Sequence, residues 1–232
     1  MANHVIGIDL GQIYDHTALA VVERLQQVPE FEPEYYRRPD FHHVVHLQRW
    51  DLGTPYRKVV ADVGALIRRA SLQEALIVLD ATGIGKAVLN LFNDAYASNA
   101  LGEHWPRGYV ITGGREITHE LVPKRELVAK LQTLLQAGRL KIAAGLPLAD
   151  VLKREMLQFR AKTLPTGGDT YEAARERDHD DVVLAVAMAC WMRHTYTEPR
   201  YFTGEHPEMG QAGLNAPAAS GALAMAPAAE VT

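Results

Sequence analysis

Apolar positions fall in short β-branched runs along the first half of the chain and at helical spacing along the second. Residues 5–9 (VIGID) and 17–23 (TALAVVE) read as strands, and the seven-residue, glycine-containing segment LGQIYDH between them reads as a turn, so the pair predicts a hairpin. Residues 43–50 (HVVHLQRW) give a third strand. The stretch 26–42 before it carries Pro29, Pro33 and Pro39 among charges and aromatics, and reads as a long excursion. Val59, Val60, Val63, Leu66 and Ile67 then recur at helical spacing within 56–70. Residues 75–80 (ALIVLD) are a continuous apolar run ending in an aspartate, the pattern of a buried strand. Thr82-Gly83-Ile84-Gly85 reads as a loop and 86–97 as a helix.

Residues 109–112 (YVIT) predict a further strand, followed by Gly113-Gly114. Pro123 suits the first turn of a helix whose inner face is Leu127, Leu131, Leu134 and Leu135, with Gly138 as its C-terminal cap. Residues 140–143 read as a short edge strand, 147–162 as a helix, and 163–178 as a polar loop or small ribbon. The last helix, 180–194, is apolar on most sides from Val182 to Met192, which predicts burial. A hairpin-first order excludes a plain alternating βαβ arrangement. It predicts an α/β domain over 1–202, a mixed sheet with helices on both faces. Residues 203–232 are mostly Ala, Gly and Pro and read as a disordered tail.

Composition narrows the chemistry. Within 232 residues there is one cysteine, Cys190, which excludes a disulfide framework and leaves no thiolate cage for zinc. No segment has the length and apolarity of a membrane span, and the first residues run straight into a strand pattern with no room for a signal peptide. The expectation is a cytoplasmic protein. The formal charge is −4; without the three glutamates of the tail, 24 basic residues face 25 acidic ones. A body so close to neutral lacks the footprint of a tight, autonomous nucleic-acid binder, but is compatible with an acidic site that a metal ion neutralises.

The acidic positions carry the strongest signal. Asp9 and Asp80 each end a strand. If those strands are parallel neighbours, both carboxylates emerge at the edge where open α/β sheets place their sites. His179-Asp180-Asp181 stands at the start of the buried last helix, where an aspartate can cap the helix or point into the crevice. Carboxylates gathered in this way need a cation among them, and hard oxygen donors suit Mg²⁺ or Mn²⁺. Two such ions can activate water and stabilise the leaving oxygen of a phosphodiester. Taken singly, each aspartate is also the ordinary residue of a turn or cap.

Other groups carry less. Gly83-x-Gly85 matches neither a GxGxxG nor a Walker lysine pattern and reads as turn punctuation. Asp15 and Thr17 could reach the crevice but suit the turn; Lys86 and Lys124 could meet a phosphate. His42, His43 and His46 read as strand or loop residues, the pairs Arg57-Lys58 and Arg68-Arg69 as solvated helix ends, and Trp50, Trp105 and Trp191 as core.

In order, VIGIDLG…DHTALAVVE, IVLDATGIG, VPKRELVAKLQTLLQAGRLKI and HDDVVLAVAMACW resemble the nuclease domain of tailed-bacteriophage terminase large subunits over roughly residues 4–196. The resemblance implies an RNase H-like fold and two-metal (Mg²⁺ or Mn²⁺) cleavage of double-stranded DNA during viral packaging. It also implies a packaging ATPase, a small terminase subunit and a portal as partners. The first acidic ligand would fall on Asp9, the second on Asp80 and the third on Asp181 or Asp180, with His179 alongside; Lys124 matches a lysine that recurs in the family. No Walker motif of a packaging ATPase is present in this chain. Three other functions fit parts of the pattern. Asp9-Leu10-Gly11 resembles the first phosphate loop of actin-like ATPases and sugar kinases, a resolvase-type nuclease would use the same carboxylates, and a non-catalytic module could dock on a portal or motor.

Overall fold

The computed structural model describes residues 4–11, 15–27, 40–118, 120–161, 180–192, 201–202 and 228–230. Its strands are β1 (His4–Asp9), β2 (Ala18–Gln27), β3 (Asp40–Arg49), β4 (Leu76–Asp80), β5 (Pro106–Thr112), β6 (Leu121–Pro123), β7 (Leu140–Ala143), β8 (Tyr201–Phe202) and β9 (Ala228–Glu230). The helices are α1 (Tyr56–Ile67), α2 (Gly85–Ala97), α3 (Lys124–Gln136), α4 (Ala149–Ala161) and α5 (Asp181–Trp191). One sheet runs β6-β5-β4-β1-β2-β3-β7-β9, with β8 beside β2. The hairpin is present: β1 and β2 are antiparallel, as are β2 and β3. On the other side of β1, strands β4, β5 and β6 follow in parallel. Asp9 and Asp80 therefore end neighbouring parallel strands at the same edge.

Alternation along the strands sorts side chains to two faces. Val5, Leu76, Val78, Val44 and Leu47 pack with α3, α4 and α5, whereas Ile6, Ile8, Ile77, Leu79 and Val45 pack with α1 and α2. The expected mixed sheet with helices on both faces is what forms. Val45 is the extra residue of a bulge where the β2–β3 register shifts between Val21, opposite His46, and Val22, opposite Val44, and this bulge keeps Val44 and Leu47 on one face. Helix α5 is buried on nearly every side, from Asp181 to Cys190, and lies directly on β1.

Several boundaries differ from the sequence reading. β2 runs on to Gln27 and β3 begins at Asp40, so the ends of the 26–42 segment are strand. Local proline content hid this, because an edge-to-edge ladder can continue right up to a proline-rich connection. Pro123 is the N-cap of α3 and closes the short strand β6; its extended backbone belongs to the strand. Trp105 is 59% exposed and stacks edge-on against Tyr96, so it is not core, whereas Trp50 is buried and its indole N–H donates to Asp62. Of residues 203–232, only the β9 strand, antiparallel to β7, lies among the described residues. The 163–178 segment and His179 lie outside them.

His42 and His46 are buried in β3, and burial pushes their imidazoles down to about 3 and about 4. Arg24 and Lys130 near His42, and Arg69 near His46, act in the same direction; Asp40 opposes them at His42. Both rings are neutral in the folded chain, and the unfolded chain binds their protons first, below its ordinary value of 6.5. Stability from keeping them neutral is thus present above about 6.5 and falls as the pH drops toward 4, by about 1.4 kcal/mol for each pH unit and each ring. Urea midpoints measured between pH 7.5 and 4.5 should fall more steeply for the wild type than for His42→Leu/His46→Leu. Parallel slopes would show that other groups set the acid sensitivity.

Candidate active site

Asp9, Asp80 and Arg49 all point toward α5, because each continues the alternation of strand residues that pack against it: Val5 before Asp9, Val78 before Asp80, and Leu47 before Arg49. Helix α5 brings Asp181 to the same edge at its first residue, and Asp180 immediately before it. Asp9, Asp80, Asp180 and Asp181 line one cleft of ≈190 Å³, together with Leu10, Gly11, Asp15 and Leu184. A larger cleft, ≈410 Å³ between α1 and α2, is lined by Arg57, Gly64, Arg68 and Asp94 and contains none of these four.

Backbone geometry around the cleft is tightly specified. Asp80 Oδ1 accepts from Thr82 N at 2.7 Å, an Asx turn that reverses the chain after β4. The Thr82 hydroxyl accepts from Ile111 N at 2.8 Å, tying that turn to β5. A Cβ at Gly85 would land on the carbonyl oxygen of Asp80, so this turn requires glycine there. Thr17 serves the hairpin, as its hydroxyl accepts from Gly11 N at 3.2 Å, whereas Asp15 reaches the cleft wall. Tyr56 donates its hydroxyl to Gly11 O at 2.6 Å and fastens α1 beneath the loop.

The electrostatics follow from this crowding. Asp9 is 9% exposed, and its carboxyl is raised well above the ordinary range by burial first, then by Asp80, Asp180 and Asp181; Lys124 pulls the other way. Burial also raises Asp80 and Asp181, against hydrogen bonds from Thr82 to the first and the Arg49 charge beside the second. Lys124 and Arg49 bring positive charge to the cleft. Lys124 Nζ lies 2.7 Å from Asp180 Oδ2. Arg49 grips Asp181 with both arms, Nε to Oδ2 at 2.6 Å and Nη2 to Oδ1 at 2.8 Å, and also reaches Glu155 Oε1 at 2.6 Å.

Asp180 occupies the N-cap position of α5 without capping it. The free N–H of Val183 is taken by Glu155 Oε2 at 2.8 Å, from α4, which leaves the Asp180 side chain to the cleft. Burial lifts Glu155 to about 7, against the hydrogen bond from Val183. Arg49 and Glu155 are absent from the sequence reading. Arg49 is one basic residue in a strand-end QRW, and Glu155 sits in the charged run KRE, which looks solvated. A signal existed: Glu155 falls on the same helical stripe as Leu152 and Met156, where a charge needs a buried partner.

The donor set is all oxygen, hard and anionic, and fits a divalent cation such as Mg²⁺ or Mn²⁺. Among the described residues no three such side chains are already closed into a cage for one ion, consistent with two of the aspartates being engaged by Lys124 and Arg49. No helix among the described residues is long and apolar enough to cross a membrane.

Comparison with known proteins was made on this basis. A family model described as Terminase RNaseH-like domain matches residues 64–193. The large terminase nuclease of thermophilic phage G20c is similar in structure, with a TM-score of 0.50 and 19% identity over 80% of each chain. The terminase nuclease domain of human cytomegalovirus, soaked with Mn, aligns over 80% of each chain with a TM-score of 0.46 and 13% identity. No curated protein sequence matches.

Proposed function

Because this chain belongs to the Terminase RNaseH-like domain family, we propose that it is a metal-dependent endonuclease that cleaves double-stranded DNA during viral packaging. The observation that carries this reading is the convergence of Asp9, Asp80, Asp180 and Asp181 on one cleft, with Asp9 destabilised in its charged form by burial first and then by the other three. A cluster of that kind is costly unless a cation enters it. Asp9 and Asp80, with Asp181 or Asp180, would hold two Mg²⁺ or Mn²⁺ ions. When bound, such ions supply the charge that makes water nucleophilic and stabilises the leaving oxygen of a phosphodiester. Asp9, between the others, is the residue best placed to be shared. Lys124 orients Asp180, and Glu155 with Arg49 orients Asp181. A packaging ATPase, a small terminase subunit and a portal are the partners this reading calls for, and they would hold DNA that a near-neutral domain grips weakly.

Plasmid digestion tests it. Cleavage is expected in Mg²⁺ or Mn²⁺ and none in EDTA, with rates that are low from the start and fall further as salt is raised, because few basic contacts anchor the phosphates. Cutting should show little sequence preference, since the sequence carries no evident recognition helix or basic arm to read bases. Cleavage that persists in EDTA would overturn the mechanism. Tight, site-specific cutting by the chain alone would keep the chemistry and point to a resolvase-type role.

A further inference from the structure

The carboxylate most deeply buried at the cleft is already occupied. Asp181, 2% exposed, has each of its oxygens on a different nitrogen of Arg49. A bidentate guanidinium pair of this kind is strong and directional. Arg49 also has a second anchor, Glu155 Oε1 at 2.6 Å, and Glu155 is itself fixed through its other oxygen to the N-terminus of α5. The guanidinium thus lies between two buried acids, one facing the cleft and one behind it.

From this geometry, and resting on the reading of the cleft as a divalent-metal site, we propose that Arg49 is a placeholder cation. In the metal-free protein it neutralises Asp181. When a divalent ion takes that carboxylate, Arg49 stays held by Glu155, so the positive charge is handed over without leaving a buried charge unpaired. Two consequences follow. The placeholder keeps the acidic cleft folded before metal arrives. It also opposes the arriving ion, so affinity at the Asp181 side is set below what four carboxylates would otherwise give. Arg49 is a positioning residue in this scheme, acting through Asp181, and Glu155 is its resting place.

The test is Mn²⁺ titration into the metal-free full chain at pH 8, followed by calorimetry and by the rise in melting temperature on metal addition. Arg49→Met should bind Mn²⁺ tighter than the wild type by about fivefold or more, because a unit charge beside the ligand has gone. Its metal-free melting temperature should fall, and Mn²⁺ should restore more of it than in the wild type. Arg49→Lys keeps the charge but not the two-armed grip, and should bind Mn²⁺ close to the wild-type strength. Glu155→Gln removes the resting place, leaves Arg49 on Asp181 alone, and should weaken Mn²⁺ binding. This variant gives an independent reading if Arg49→Met folds poorly. An arginine that served only to order Asp181 would weaken metal binding when lost. If the wild type binds Mn²⁺ but Arg49→Met binds no tighter and Glu155→Gln no weaker, the placeholder is overturned and the metal site stands. If the wild type binds no Mn²⁺, the metal reading falls and the proposal with it.

Discussion

Asp9→Asn is expected to abolish DNA cleavage, by roughly 10³-fold or more, while leaving the metal-free protein folded and at least as heat-stable as the wild type. The loss follows from position. Asp9 ends the strand in the middle of the sheet, between β4 with Asp80 and the start of α5 with Asp180 and Asp181. On the proposed reading, Asp9 would be a ligand whose place the other carboxylates of the cleft do not fill. The retained stability follows from charge. The Asp9 carboxyl is buried among like charges that raise it well above the ordinary range, so its ionised form is a burden on the folded state at neutral pH. An amide of the same shape removes that repulsion. Three measurements decide the matter: plasmid nicking rate, melting temperature in EDTA, and the shift in melting temperature with Mn²⁺. The wild type should gain stability from Mn²⁺, and Asp9→Asn should gain much less. An Asp9→Asn protein that fails to fold would make Asp9 a structural residue and remove it from the proposed site.

Gly7→Ala should give the larger loss of stability, about 3 kcal/mol or more, for a change of one methyl group. Gly7 lies on the face of β1 that α5 covers, between Val5 and Asp9. A Cβ there would fall on the carbonyl oxygen of Ala185 and within 3.0 Å of Ala189 N. Both are backbone atoms of a helix held by its own hydrogen bonds, so no side chain can rotate away. The helix as a whole must shift, and Asp180 and Asp181 shift with it. Gly7→Ala should therefore lose cleavage as well as stability, although Gly7 has no chemistry of its own. Gly113→Ala is the control, since nothing lies within 4 Å of a Cβ at that position. Urea unfolding of both variants should show a large fall in midpoint for the first and almost none for the second. Equal midpoints would mean that α5 can move without cost.

The strand-end aspartates were legible in the sequence because a buried strand announces itself by local pattern and its last residue is then placed by topology. ALIVLD and VIGID needed only the parallel pairing of β1 with β4 to bring Asp80 beside Asp9. The helix that begins at Asp181 was legible for the same reason, being apolar all round. Arg49 and Glu155 were not, because their meaning lies in each other: one on β3, one on α4, meeting across more than a hundred residues of chain. Local charge patterning describes each as solvated. Pro123 and the ends of the 26–42 stretch show the converse error, where a residue's own preference was allowed to outweigh the ladder beside it. Trp105 was misplaced because an aromatic can be satisfied by a single partner, here Tyr96, at the surface.

Helix α5 closes the central layer of the fold, yet it lies about a hundred residues beyond Asp80 in the chain. A chain still on the ribosome, or clipped before residue 180, has Asp9 and Asp80 but lacks Asp180, Asp181 and the apolar surface that covers β1 and β2. Such a chain has two of the four aspartates of the cleft and an uncovered sheet. An enzyme that cuts DNA with little regard to sequence would be hazardous if its fragments were active. On the proposed reading, the cleft would gather its four aspartates only when α5 docks, so a chain clipped between Asp80 and Asp180 is expected not to cut DNA.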